Sequence, residues 1–328
     1  MACLLEVKGL STAVERNGKT RKLLDDINFT IEEGEALGLA GESGCGKTMT
    51  ALSITGLLPP AVKITKGEIV YNGQNLISLT EKELCQIRGK EISAVFQEAR
   101  QSLNPLMRTG RQITETLELS PDSKTAGKRE MKEKALEMLE LFGFDSPRKI
   151  YDSYPFQLSG GMCQRVMTII AAINNPRLML ADELSSSLDE ESQKKILSVL
   201  MDMNINRKIS LLLISHDLSI IREFCGRFIV MYAGKIVEQG PAKMLFFPLH
   251  PYTKALTGAI PHKDKKGKNL ENIPGKVPSI DDDLSGCPFA PRCPKAADIC
   301  LESFPPAVQT RENHLVHCFF PETGAKNE

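Results

Sequence analysis

The sequence predicts an α/β fold, and three observations predict it. Apolar segments of strand length recur along the chain, among them Glu35–Ala40, Arg177–Glu183 and Ile209–Asp217. Segments of helical length follow them, including Met49–Leu58, Gln164–Ile173 and Gln193–Asn204. Alternation of this kind builds a sheet with helices packed on it. The third observation is Gly41-Glu42-Ser43-Gly44-Cys45-Gly46-Lys47-Thr48, which sits between one such strand and one such helix. Strand, glycine loop, helix is the setting in which a G-x-x-x-x-G-K-[ST] string wraps a polyphosphate.

Taken in order, residues 3–36 read as antiparallel β. Leu4–Lys8 and Leu23–Ile31 alternate or run apolar and flank the turn-rich Glu15–Lys19. In the loop that follows, the glycines let backbone N–H groups turn inward, and the helix start adds partial positive charge. The nucleotide-binding stretch is therefore Gly41, Ser43, Gly44, Cys45, Gly46, Lys47, Thr48 and Met49. Lys47 reaches the β- and γ-phosphates, and the Thr48 hydroxyl can ligate Mg²⁺. The helix ends before Pro59-Pro60, and Gly67–Gly73 is a short strand with a turn.

Glu91–Gln97 is a strand ending in a glutamine. Beyond it the texture changes to charged amphipathic segments, and a helical subdomain is expected over about 98–160. In Arg129–Leu141 and just beyond, Met131, Ala135, Met138, Leu139 and Phe142 form a face for core packing. Gln157–Met162 precedes the helix Gln164–Ile173, Arg177–Glu183 is a buried strand closing on two carboxylates, and Ile209–Asp217 is another, with His216 near its end. Phe228–Gly240 reads as a hairpin around Ala233-Gly234-Lys235. After Gly240 come Lys263–Lys268, a proline-rich stretch and Asp281–Asp283, which mark an appended arm. The expected division is 1–240 and 241–328.

Composition narrows the function classes. With 41 basic and 41 acidic residues, no global field favours nucleic acid or anionic lipid as a partner. The longest apolar runs, such as Leu211–Ile214, are far short of a spanning helix, and Met1–Glu6 lacks the pattern of a signal peptide. A cytosolic chain is expected. Of nine cysteines, Cys3, Cys45, Cys85, Cys163 and Cys225 are scattered and expected to be reduced and mostly buried. Cys287, Cys293, Cys300 and Cys318 crowd the end.

Six motifs stand in sequence: GESGCGKT at 41–48, Gln97 at a strand end, LSGGM at 158–162, LMLADE at 178–183, SSLD at 186–189 and SHD at 215–217. On that order the chain resembles the ATP-binding subunits of ABC transporters, from about Leu4 to Pro321. Asp182 alone could be a cap, Glu183 a surface acid, His216 a core histidine and Gln97 a polar strand end. The resemblance implies a P-loop NTPase fold with a RecA-like core and an antiparallel β subdomain. It makes Glu183 the general base, sets His216 on the γ-phosphate, and sets Gln97 on Mg²⁺ and the lytic water, with Asp182 on Mg²⁺ through water. Ser159, Gly160 and Gly161 read as a helix start, and the resemblance offers that start to the nucleotide of an opposite subunit, with Asp189 coupling the halves.

Departures are visible. Asp182-Glu183-Leu184 stands where Asp-Glu-Pro is usual, Ser185–Asp189 reads Ser-Ser-Ser-Leu-Asp, and Val14 occupies the slot of an aromatic that stacks on adenine. Weaker adenine stacking is therefore expected. Phe246–Leu256, Ile273–Pro278 and Gly286–Pro294, with Val95-Phe96-Gln97 and Ser102-Leu103-Asn104-Pro105, resemble dipeptide and oligopeptide importer ATPases, nickel importers being close relatives. The resemblance implies two membrane permease subunits, a second ABC ATPase completing a heterodimer, an extracytoplasmic solute-binding protein reached indirectly, and a place on the cytoplasmic face of the membrane. The helical insertion near Gln97–Pro105 is the expected docking surface. A soluble ABC ATPase acting on nucleic acid or ribosomes would carry tandem cassettes, a coiled-coil insertion and basic tracts, none of which is present. The terminal cysteines, spaced x5, x6 and x17, leave three readings open: a [4Fe–4S] cluster, which related importer subunits carry in this arm, zinc, or packed thiols. His314 and His317 are weaker ligand candidates.

Overall fold

The computed structural model of the chain describes residues 2–16, 18–96, 99–118, 127–184, 189–259, 273–282, 285–310 and 313–322. Contacts divide it into two units. The first gathers Ser78–Leu212 with Glu32–Glu35 and Ala2; the second gathers Cys3–Ile31, Ala36–Ile77 and Leu213–Glu328.

In the first unit, β6 (Ile92–Val95) pairs parallel with β7 (Leu178–Asp182) in the register Ile92↔Leu178 to Val95↔Ala181. Around these strands lie α2 (Glu81–Ile87), α3 (Ala99–Ser102), α4 (Thr109–Glu118), α5 (Lys128–Leu141), α6 (Pro147–Asp152), α7 (Gly160–Ala172) and α8 (Glu190–Arg207). The expected face of α5 is buried: Met131, Ala135, Met138 and Leu139, with Phe142 just past its end. It packs in a small core with Ile113, Leu117 and Ile150. A Cβ built on Gly110 would lie 2.3 Å from the Tyr151 ring, so α4 and α6 approach as closely as a glycine permits.

Two helices begin earlier than hydrophobic periodicity predicts, and capping is the reason. Ser159 Oγ accepts the Met162 N–H at 3.2 Å, so α7 starts at Gly160 rather than Gln164. Asp189 does the same for Ser192 N–H at 2.9 Å, so α8 starts at Glu190 rather than Gln193.

The second unit holds a four-stranded sheet of β1 (Cys3–Arg16), β2 (Lys19–Glu32), β4 (Val62–Tyr71) and β5 (Gln74–Asn75), in the order β2-β1-β4-β5. β1 and β4 run antiparallel from Leu5↔Tyr71 to Val14↔Val62, with a register shift after Lys8. β4 starts at Val62, five residues before the expected strand, because Val62–Lys66 completes the pairing with the far end of β1. The same unit carries β3 (Ala36–Ala40), which pairs parallel with β9 (Arg227–Tyr232). β9 turns through Ala233 and Gly234, both with positive φ, into antiparallel β10 (Lys235–Pro241), the hairpin that the sequence predicts. β8 (Ser210–Ser215) has residues in both units.

The tail is more than an appendage. β12 (Leu315–His317) pairs with β10, and β11 (Ala307–Gln309) pairs with β12, so the last residues extend the sheet. Glu238 of β10 is completely buried. Its carboxylate accepts the N–H groups of Leu249 and His250 at 2.8 and 2.9 Å and lies 2.7 Å from His314 Nε2. Tyr252, in α10 (Pro251–Gly258), and Phe289 pack their rings against Tyr232 at 4.6 and 5.3 Å. Among the described residues no helix is long and apolar enough to cross a membrane.

Candidate nucleotide site

The phosphate loop grows out of β3, all five of whose residues are buried. At Gly41 a Cβ would sit 2.4 Å from the Met231 carbonyl oxygen, so only glycine lets the chain leave the strand here. The loop closes at Gly46, with φ 108°, which begins α1 (Lys47–Thr55) without a side-chain cap. A first helical turn of that kind offers N–H groups to an anion. A Cβ on Gly44 would meet nothing within 4 Å, so the loop is open there.

Lys47 is 5% exposed, and its ammonium donates to the carbonyl oxygens of Gly41 at 2.8 Å and Glu42 at 3.0 Å. The loop's own carbonyls thus hold the cation that would meet a phosphate. Cys45 is buried beneath the loop, and burial pushes its thiol up. Ser43, Gly44 and Thr48 are exposed, with Met49 half-buried behind them.

A second set of contacts, which the sequence did not disclose, grips the loop from the arm. Arg292 donates from both terminal nitrogens to the Glu42 carboxylate, at 2.8 and 3.2 Å. It also donates to Tyr232 Oη at 3.0 Å and to the Pro274 carbonyl at 2.8 Å. The Glu42 N–H donates to Tyr252 Oη at 2.8 Å. The Glu42 hydrogen bonds hold the Arg292 guanidinium in its charged form, moving its pKa further up against the opposing pull of burial. The Tyr252 hydroxyl is likewise raised by burial.

The remaining predicted residues fall as follows. Asp182 ends β7 with 1% exposure, and Glu183 follows it at φ 50°, a left-handed backbone that a non-glycine residue adopts only under local constraint. Ser159 is exposed at the head of α7, with Gly160 and Gly161 in its first turn. Asp189 caps α8, and hydrogen bonds from the Ser192 N–H and hydroxyl hold its carboxyl below the usual range. These residues belong to the first unit. In the second, His216 is exposed directly after β8, and Asp217 caps α9 (Leu218–Phe224) through the Ser219 N–H. Gln97 and Ser185–Leu188 lie outside the described residues.

Cys287, Cys293, Cys300 and Cys318 border one small pocket with His250, Phe289 and Phe320. The chain crosses itself tightly there: Cys287 N–H donates to the Cys300 carbonyl at 2.8 Å, and a Cβ on Gly286 would lie 2.2 Å from that same oxygen. Burial pushes the Cys287 thiol up to about 11, and raises Cys293 and Cys318 as well. Four thiols on one pocket are the donor set of a tetrathiolate centre. Among the described residues, however, no three His, Cys, Asp or Glu side chains are grouped so as to hold a metal ion. The chemistry of the donors fits; their spacing here does not make a formed site. His314 and His317 are turned to other partners, Glu238 and the Pro305 carbonyl. Of the scattered cysteines, Cys45, Cys163 and Cys225 are buried while Cys3 and Cys85 are exposed.

The chain is similar to known proteins. The family described as ABC transporter matches residues 24–186, and that described as the oligopeptide/dipeptide transporter C-terminal region matches 237–300. The oligopeptide transport ATP-binding protein AppD of Bacillus subtilis is 42% identical over 329 residues, covering 99% of each chain. The oligopeptide transport ATP-binding protein OppD of Escherichia coli is 38% identical over 319 residues, covering 97% of this chain and 93% of that one. Among solved structures, the dimeric ATP-binding cassette MJ0796 bound to ADP and Pi superposes with a TM-score of 0.67 at 27% identity, over 73% of this chain and 99% of that one.

Proposed function

From a chain that belongs to the ABC transporter family of ATPases, we infer an ATP-hydrolysing subunit that energises import of dipeptides and oligopeptides through a membrane transporter. The observation that carries this is the Lys47 loop, poised over its own carbonyls, in a chain whose tail matches the oligopeptide/dipeptide transporter region. A nickel or other small-solute importer is the alternative cargo.

A bound triphosphate takes the Lys47 ammonium from the Gly41 and Glu42 carbonyls, exchanging neutral acceptors for charged ones. Thr48, Gln97 and Asp182 are the residues that would hold Mg²⁺, Asp182 through water, and the ion would offset charge on the phosphates. Glu183 takes the proton of the attacking water, and His216 and Gln97 orient the attack on the γ-phosphate. Ser159, Gly160 and Gly161 present their helix start to the nucleotide held by a partner ATPase, and Asp189 couples the two halves. ATP contacts made only across that interface favour the closed pair, and hydrolysis releases it.

The subunit works with membrane permeases and an ATPase partner, which we take to be a second, similar chain in a heterodimer, with an extracytoplasmic solute-binding protein acting indirectly. It is placed on the cytoplasmic face of the membrane. Residues 1–240 are taken as the cassette and 241–328 as the arm. Cys287, Cys293, Cys300 and Cys318 would hold a [4Fe–4S] cluster, zinc being the alternative, as a structural staple for a small arm. Binding would draw their thiols together as thiolates, against the burial that now keeps Cys287 protonated. Anaerobic purification from membranes, with iron and zinc assays, distinguishes the two.

Substituting Glu183→Gln in the assembled transporter should cut turnover by about 10²–10⁴-fold while ATP stays bound, the range expected for loss of a general base. Undiminished turnover would refute the assignment.

A further inference from the structure

Beside the phosphate loop lies a cavity of about 360 Å³, with Gly44 in its wall. That is within the volume range of small-ligand pockets. A triphosphate on the loop leads its nucleoside off the loop, and Gly44 is where the loop is open. Three segments wall the cavity: the start of β2 from Thr20 to Asp25, the Ala233–Lys235 turn, and the arm. The arm contributes Pro278, Ser279, Ile280 and Asp282, with Gly286 and Pro288 beyond.

Charge pairing holds that arm segment against the hairpin of β1 and β2. Asp281 lies 3.4 Å from Arg16 Nη1 and 3.7 Å from Arg21 Nε, so one arm carboxylate spans two hairpin arginines. Arg21 is four-fifths covered and lines the cavity. The neighbouring cations Lys22 and Lys235 are paired instead with Asp25, at 2.8 and 2.5 Å. The arm turn is closed on itself: Ser279 N–H donates to Asp282 Oδ2 at 2.7 Å, and Asp282 N–H to the Ser279 carbonyl at 3.0 Å.

We propose that the C-terminal arm forms the nucleoside end of this chain's nucleotide site, with Arg21 and the Ser279–Asp282 turn doing what an aromatic ring in place of Val14 would do. The proposal rests on the nucleotide reading above. A planar guanidinium stacks on a base as an aromatic does, and the Asp281 carboxylate, 3.7 Å from Nε, draws it toward the arm. Leu23 and Ile280 supply apolar walls. The Ser279 hydroxyl and the Asp282 carboxylate supply acceptors for ribose hydroxyls. The arm thereby sets both affinity for the nucleoside and the choice among bases.

The test uses the full chain and two probes, MgATP and magnesium tripolyphosphate, the second lacking a nucleoside. Arg21→Ala and Asp281→Ala should each raise the Kd for MgATP by about tenfold, the worth of one lost stacking or orienting contact. The Kd for tripolyphosphate should stay unchanged. Asp281 is nearly half exposed, so its variant removes the pairing without disturbing a core. If the two probes weaken together, or neither changes in either variant, the proposal is overturned. A wild-type chain that binds MgATP no more tightly than tripolyphosphate overturns it alone; one that binds neither overturns the nucleotide reading with it.

Discussion

Arg292→Met removes a charge from the contact between arm and loop while keeping an unbranched apolar stem. The guanidinium is 8% exposed as a residue and serves both Glu42 oxygens, Tyr232 Oη and the Pro274 carbonyl. Breaking a buried ion pair from one side costs about 3–5 kcal/mol. Glu42 keeps a quarter of its side chain in water, which lowers the expected loss to about 2–3 kcal/mol. At about 1.5 °C per kcal/mol for a chain of this length, the melting temperature should fall by about 3–5 °C. A double-mutant cycle with Glu42→Gln isolates the pair, and a coupling energy of about 2 kcal/mol is expected. Because Glu42 carries one of the two carbonyls that hold Lys47, the Kd for MgATP and for tripolyphosphate should rise together, unlike the split expected for Arg21. Strictly additive single variants, or an unmoved melting temperature, would refute the reasoning.

Three further outcomes are expected. Ser159→Ala should cost the isolated chain about 1 kcal/mol through loss of the α7 cap, yet lower turnover of the assembled ATPase far more than it lowers ATP binding to the single chain. Gly110→Ala should destabilise by about 2 kcal/mol in chemical denaturation, since the new methyl meets the Tyr151 ring head-on. Burial alone would raise the Asp25 carboxyl, but hydrogen bonds from Lys22 and Lys235 outweigh it and hold the group below its ordinary 3.8. That pairing stabilises the fold above the unfolded value and is lost as pH falls through the folded one. Melting curves of wild type and Asp25→Asn should therefore differ by about 1 kcal/mol at neutral pH and converge as the pH drops below that value.

What could be read from the sequence was what is local. The loop at 41–48 carries its own geometry, because each glycine is demanded by a contact or a backbone angle within the loop or directly over it. The apolar face of α5 was equally plain, since its period repeats within one helix. The helix start at Ser159 was legible as a capping signature, whereas the start of α8 was placed late because the cap at Asp189, not an apolar residue, fixes it. The strands β11 and β12 escaped notice because three residues carry no period, and their pairing is with partners elsewhere in the chain. Arg292 escaped for a plainer reason: its partner Glu42 lies 250 positions away, and nothing near either residue records the other. Spacing told that Cys287, Cys293, Cys300 and Cys318 were unusual but not that they would border one pocket.

The short pairing of β12 with β10 bears on how far this protein can be trimmed. Cutting after Gly240 would leave the outer row of β10 amides without a neighbour and strip Glu238 of Leu249, His250 and His314 together. A minimal cassette would then carry a naked sheet margin and a carboxylate stranded beside it. Bare margins of that sort recruit other chains, so the shortened protein should aggregate more readily than the full chain.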